Sequence, residues 1–547
     1  MPHPRGPRAH ALPFHPASQP AQRLLPWRVT LAALAVMAVL TLNACAGLAS
    51  WPQVAGAGAE ASAGLSGLQA RSLLAPPEPP AHWQNASAAD AAPPAANVLS
   101  SWWQRFNDPE LSRVVQRAQQ ANPRAVAASA VWRQALAQRD AIAGARLPSL
   151  VGQGTAASDT QGLGAEQGSS QRVQLGLDLR WTPDLSGATA HALAAADAVA
   201  QSRQASLGDV QVALAAEAAL AYVELRRQQR RLALAQQTLS SLQQTRQITQ
   251  WRLDAGLLST LQLDQARAAV AQTEALVPAL QTRVAQSRHA LALLMGEPYR
   301  ANAAPERPSP ASAAEATSPP AAAPTATSAG PQIPEAPDSL ALHIPADTLR
   351  QRADVRATEQ AVVAARSRVG QAQAERLPSL ALGGSIGLSA LALGALGDRA
   401  SVVSSLLASI SMPLFDGGVR RAQVRLQEGA LDQALALHRA AVLSALTQVE
   451  DALVALAGYR ASLVALDTAA SAASHANTLA QQRFTGGLVD FQTVLDTQRT
   501  AYSAQDAALG ARADLASSHV RLYVALGGGW RDGALPAAQQ TASTGPR

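Results

Sequence analysis

The feature that most restricts this chain is that it is written twice. Arg146-Leu147-Pro148-Ser149-Leu150 returns as Arg376-Leu377-Pro378-Ser379-Leu380, displaced by 376 − 146 = 230 residues. Pro183-Asp184-Leu185-Ser186-Gly187 is answered by Pro413-Leu414-Phe415-Asp416-Gly417-Gly418 at the same displacement. Arg252-Leu253-Asp254-Ala255-Gly256-Leu257 is answered by Arg483-Phe484-Thr485-Gly486-Gly487-Leu488 at 483 − 252 = 231. Three landmarks in one order at near-constant spacing require a duplicated unit, so any fold must give both copies the same plan. That plan is a helix, two strand-like segments around a Gly/Ser-rich turn, a very long helix, a glycine turn and a second long helix. The copies occupy 101–297 and 341–530. A Pro/Ala-rich stretch at 298–340 separates them, a similar one at 45–100 precedes them, and 531–547 reads as a disordered tail, since none of these can bury a core.

The strand segments carry the membrane signal. Val173, Leu175, Leu177, Leu179 and Trp181 alternate with Gln174, Gly176, Asp178 and Arg180. In the second copy Leu380, Leu382, Ile386 and Leu388 alternate with small residues, and Leu406, Ala408, Ile410 and Met412 with Ser405, Leu407, Ser409 and Ser411. Segments of roughly ten residues with one apolar and one polar face are the pattern of a membrane β-barrel, the alternative being an edge sheet of a soluble domain. The segment after Pro148 is too Gly-rich for alternation to show. Each strand pair leads into a helical stretch, Leu185–Arg252 and Gly418–Arg483, of about 60 residues or roughly 90–100 Å. The returning helix keeps a heptad, Leu263, Val270, Val277, Val284 and Leu291, matched at +231 by Val494, Ala501, Ala508, Leu515 and Leu522. Pro278 interrupts the first of these and is expected to bend it. Four strands cannot enclose an aqueous pore and open sheet edges cannot sit in lipid, so the chain is expected to assemble with copies of itself.

The N-terminus sets the compartment. Residues 1–28 hold Arg5, Arg8, Arg23 and Arg28 with no acidic residue, and 29–42 are apolar apart from Thr30 and Thr41, which reads as a signal peptide over 1–44. That run is shorter than the roughly 20 residues a membrane-spanning helix needs. It ends in Leu42-Asn43-Ala44-Cys45, similar to a lipobox, and Cys45 is the only cysteine of the chain. Disulfides within the chain and Cys-rich metal sites are thereby excluded. The net charge of +6 loses 4 with the leader arginines, leaving +2, and the chain has no lysine, so nucleic acid is not implied. Arg226, Arg227, Arg230 and Arg231 are expected to form a solvated helix face. The ten histidines show no metal-ligand spacing, and neither a phosphate loop nor a supported catalytic set occurs, so no enzyme and no metal is expected; His289 and His343 read as ordinary surface or packed residues.

Residues 101–530 resemble TolC-type outer-membrane factors, in particular the acylated NodT-like branch serving resistance-nodulation-division pumps. The resemblance rests on 102–111 (WWQRFNDPEL), Asn122-Pro123, 344–356 (IPADTLRQRADVR, with Ala353 where the family usually has proline) and 413–418 (PLFDGG). Asp184-Leu185-Ser186-Gly187 lacks the usual phenylalanine. What the resemblance implies is a mixed α+β membrane protein, a homotrimer whose four strands per chain close a twelve-strand transmembrane β-barrel continuing into a long periplasmic α-helical barrel. It further implies the exit duct of a tripartite system exporting small molecules such as drugs, lodged in the outer membrane and contacting its lipid. The partners implied are a periplasmic membrane-fusion adaptor and an inner-membrane pump. Cys45 would carry diacylglycerol and an N-acyl chain, with no other cofactor. Gly256, Leu257, Ser259, Gly487, Leu488 and Val489 would meet the adaptor, and Asp490 and Asp496 would form carboxylate rings at a periplasmic gate. The alternatives left open are a channel for type I polypeptide secretion and a coiled-coil lipoprotein without a pore.

Overall fold

The computed structural model describes residues 79–80, 82–85, 99–161, 168–298, 332–335, 349–391 and 402–530. The expected signal peptide at 1–44, Cys45, His343, most of the stretches at 45–100 and 298–340, and the tail at 531–547 lie outside the described residues.

The duplication reappears as geometry. The first copy runs through α1 (Pro109–Ala121), α2 (Pro123–Gly144), β1 (Ser149–Gln161), β2 (Gly168–Trp181), α3 (Ala188–Asp254) and α4 (Thr260–Leu294). The second runs through α5 (Ala353–Ala374), β3 (Ser379–Ala390), β4 (Val402–Ser411), α6 (Val419–Thr485) and α7 (Phe491–Ala525). Helices α2 and α5 start 353 − 123 = 230 residues apart, whereas α3 and α6 start 419 − 188 = 231 apart and match in length at 67 residues. The extra residue falls between Pro413 and Gly418. Both long helices begin on a glycine in the left-handed region, Gly187 (φ 79°) and Gly418 (φ 90°). Beside each, an aspartate accepts first-turn amides: Asp184 from Thr189 and Ala190, Asp416 from Gly418 and Arg420. The residues from Leu185 to Gly187, expected in the helix, are therefore its cap. At 1.5 Å per residue α3 and α6 reach about 100 Å.

The four strands form one antiparallel sheet in the order β1-β2-β3-β4. Its register explains why sequence alternation works here. Leu150 pairs with Leu179, which pairs with Gly384, which pairs with Leu406; four residues along, Gly154, Leu175, Leu388 and Val402 align, and the same-face row between them holds Gly152, Leu177, Ile386 and Ser404. Apart from Ser404, every second row that crosses all four strands is thus free of polar side chains. The intervening rows carry Thr155, Gln174 and Ser389, joined through side chains, and Ser385 facing Ser405 at 2.7 Å. The Gly-rich β1 places Gly152 and Gly154 in the apolar rows, so its alternation is invisible in the sequence although its pairing is complete. No part of the described chain covers the apolar face: Leu406 is 88% exposed and Ile410 71%.

The long helices pack side by side, α4 against α3, α3 against α7 and α7 against α6, with α2 against α3 and α5 against both α3 and α6. The heptad positions Leu263, Val270, Val284, Leu291, Val494, Ala501, Ala508 and Leu522 are buried. Helix α4 runs through Pro278 without interruption. Pro278 is exposed, so the turn that loses its amide donor faces solvent, where water can satisfy the freed carbonyl. Where the copies meet, Trp102 stacks on Tyr523 (centroids 5.7 Å apart, planes at 14°) within a core that includes Tyr222, Leu456, Val520 and Leu526.

The arginine cluster corrects an expectation. Arg226, Arg227 and Arg231 are half-buried. Arg231 holds Asp506 of α7 through two bonds of 2.6 and 2.7 Å, and Arg226 donates to Tyr222, whose hydroxyl donates to Asp108. Helix pattern alone could not show that carboxylates from distant segments would meet them.

Candidate functional site

Both hairpins turn on the same short device. Gly256 (φ 73°) and Gly487 (φ 76°) take the left-handed region. Leu257 donates its amide to the Arg252 carbonyl at 2.8 Å and Gly256 to Leu253 at 2.8 Å; Leu488 donates to Arg483 at 2.9 Å and Gly487 to Phe484 at 2.9 Å. Such paired bonds satisfy the last carbonyls of a helix and need a residue that accepts positive φ. A Cβ on either glycine would meet nothing within 4 Å, so the backbone angle alone demands glycine.

The returning helices are capped differently. Ser259 opens α4 by donating its amide and hydroxyl to Gln262 at 2.7 and 2.8 Å. Asp490 opens α7 by accepting the Thr493 amide at 2.9 Å and the Thr493 hydroxyl. These bonds hold the Asp490 carboxyl below the usual carboxylate range. Leu257 and Leu488 stand out from the tips, 72% and 78% exposed, while Val489 and Leu258 fold back onto a cluster of Leu242, Val270, Phe484, Phe491 and Val494. Arg252 ties the tips together: it donates to the Thr485 carbonyl at 2.7 Å, and its guanidinium lies 4.6 Å from the centre of the Phe484 ring.

Asp490 and Asp496 are both exposed; Asp490 is the N-cap residue of α7, and Asp496 lies in its second turn. Asp496 accepts from Gln492 at 3.0 Å and lines a groove of about 280 Å³ with Thr493, Thr497 and Thr500, facing Ala473 and Ala476 of α6. The groove is polar and built of small side chains.

An amphipathic sheet with uncovered apolar rows, continuous with helical hairpins about 100 Å long, is the observation against which relatives can be judged. The outer membrane efflux protein family matches residues 114–297 and 344–528, one segment for each copy and more than half of the chain together. The chain belongs to the outer membrane efflux protein family. The pyoverdine export outer membrane protein OpmQ of Pseudomonas putida is 31% identical over 467 residues, covering 83% of this chain and 92% of that protein. Nodulation protein T of Rhizobium leguminosarum bv. viciae is 28% identical over 469 residues, 83% and 89% of the respective chains. The solved outer-membrane channel OprN superposes with a TM-score of 0.69 at 31% identity, covering 84% of this chain and 99% of that one. As a member of this family the protein is an outer-membrane efflux channel, a transport protein whose helices extend into the periplasm.

Several residues that organise the channel carry no sequence signal. Arg352, almost fully buried, grips Asp354 at 2.6 and 3.0 Å, the Ala525 carbonyl at 2.8 Å and Gln448 at 2.8 Å, so it fastens α5 to the end of α7. His519, 1% exposed, has its pKa pushed down to about 4 by burial, with Arg460 and Arg105 adding to the effect. A lone histidine or arginine on a helix cannot be told from a surface residue until its neighbours are known.

Proposed function

We propose that three copies close edge to edge into a twelve-strand barrel and a continuous helical cylinder, forming the exit duct of a tripartite pump for small molecules. The observation that carries this is the sheet: its apolar rows suit lipid, its polar rows suit a lumen, and β1 and β4 have no partner on their outer sides among the described residues. An unpaired edge in hydrocarbon leaves each backbone donor and acceptor unsatisfied at several kcal/mol per group, so β1 of one copy must pair with β4 of the next. Three chains give 3 × 4 = 12 strands, wide enough for water.

The remaining roles follow from position. Exposed Leu257 and Leu488, set on rigid glycine turns beside Ser259 and Val489, offer the periplasmic adaptor an apolar contact, and through it an inner-membrane pump of the resistance-nodulation-division type. Asp496, and Asp490 at the tip, supply carboxylate rings that favour cations at the closed periplasmic end. Cys45 is the acylation site, anchoring the mature N-terminus with diacylglycerol and an N-acyl chain. A small-molecule cargo accords with the pyoverdine named for the relative from Pseudomonas putida. Detergent-extracted protein should have a mass near three chains, and Cys45→Ala should abolish labelling by a radioactive fatty acid. A monomer that conducts ions in planar bilayers would overturn the assembly.

A further inference from the structure

A half-open cavity of about 240 Å³ lies between the two hairpins of one chain, walled by α3, α4 and α7, with Leu276 and Arg499 at its exposed mouth. Leu242, Leu276 and Leu495, one from each helix, make its apolar wall, and Gln498, Arg499 and Tyr502 of α7 its polar wall. Gln498 is 5% exposed, and its Oε1 has no hydrogen-bond partner. A buried carbonyl without a donor is costly, and such atoms are few in folded proteins. The amide is held on its other side only by long bonds from Nε2, 3.3 Å to Ser241 Oγ and 3.5 Å to Thr245 Oγ1. The last torsion of glutamine is soft, so Oε1 can turn toward a donor that enters the cavity.

We infer that this cavity is a binding site for a small aromatic anion that also carries a hydrogen-bond donor. The anionic group would sit on the Arg499 guanidinium, the ring between the three leucines, and the donor on Gln498 Oε1. Size sets the class: a cavity of about 150 Å³ accepts benzene, so this one holds roughly ten heavy atoms. The site is separate from the acidic groove. Leu495, Gln498, Arg499 and Tyr502 share one face of α7, while Thr493, Asp496, Thr497 and Thr500 share the opposite one. A ligand here therefore joins the first hairpin to α7 without touching Asp496.

The probe is 4-hydroxybenzoate, which has ten heavy atoms, a carboxylate and a phenolic donor. Titration calorimetry on the full chain in detergent should give saturable binding of one molecule per chain, and the ligand should raise the thermal midpoint because it binds the folded state only. Gln498→Leu and Arg499→Gln should each weaken binding at least tenfold, and benzoate, lacking the donor, should bind the parent at least fivefold more weakly. Thr238→Leu fills the cavity from α3 and leaves both polar anchors in place, so it should abolish binding even if a polar variant folds poorly. No saturable binding to a parent with full helical circular dichroism would overturn the proposal. So would equal affinity in the parent and a folded Thr238→Leu protein.

Discussion

The two long helices α3 and α6 have the same length and the same glycine N-cap, yet they live in different surroundings. Along α3 the residues Leu207, Leu214, Ala218, Tyr222, Val223 and Leu242 are buried, because α2, α4, α5 and α7 surround it. Along α6 the residues Leu426, Leu437, Leu443, Val454 and Val464 are exposed, between 46% and 70%. Helix α4, at the other end of the set, likewise exposes Leu261, Leu276 and Leu293. A duplicated unit has thus been divided into a centre, α3 with α7, and two apolar flanks, α4 and α6. Exposed apolar residues on the flanking helices, together with unpaired outer edges of the described sheet, are what a ring of identical chains requires.

The sharpest way to break this comparison is to charge a flank. Leu426→Arg with Leu437→Arg, 11 residues apart on one face of α6, should leave the helical circular dichroism of the single chain intact and remove the trimer entirely, as read by native mass. A trimer that survives would show α6 to be a solvated face. Truncation in the centre should behave in the opposite manner. Leu214→Ala removes a fully buried side chain and should lower stability by about 2–5 kcal/mol in denaturant unfolding, whereas Leu437→Ala, 58% exposed within the chain, should cost a separated single chain less than about 0.5 kcal/mol.

Acid offers a third comparison, since buried His519 of α7 corresponds at 519 − 231 = 288 to exposed Arg288 of α4. Its folded pKa of about 4 lies below the ordinary 6.5, so the folded state prefers the neutral ring. As pH falls from 6.5 toward 4 the unfolded chain takes up a proton that the folded chain refuses, and stability drops by up to about 3 kcal/mol. Below pH 4 this contribution is lost in full. His519→Gln should flatten that part of the stability-pH curve, and a curve unchanged by the substitution would contradict the assignment. The smallest effect concerns the turns. Gly256→Ala and Gly487→Ala should each cost about 1 kcal/mol, because both force alanine to positive φ without a clash. Unequal costs would mean the two tips are not equivalent.

Much of this architecture was legible because duplication and periodicity are properties of order along the chain. The landmark offsets anticipated both hairpins, and the alternation in Val173 to Trp181 anticipated the apolar rows of β2. What escaped was whatever depends on a partner far away in sequence. Strand β1 hid its pattern because Gly152 and Gly154 occupy apolar rows whose bulk comes from Leu177 and Leu175 of β2. Arg231 looked solvated because Asp506, which neutralises it, lies 275 residues further on. The cavity beside Gln498 escaped for the same reason, since three helices from both copies build it.

Closure of the sheet is the central claim, and cross-linking across its edges tests it most directly. Within one chain β1 and β4 are separated by two strands, about 14 Å, so a short thiol reagent cannot bridge them. Thr155→Cys on β1, combined in turn with Val403→Cys, Ser405→Cys and Leu407→Cys on β4, adds thiols to a chain whose native cysteine is Cys45 alone. In outer-membrane preparations at least one pair should give covalent species of two and three chains and none larger. Chains that remain single with every pair, or a ladder that continues beyond three, would contradict a closed barrel of three subunits.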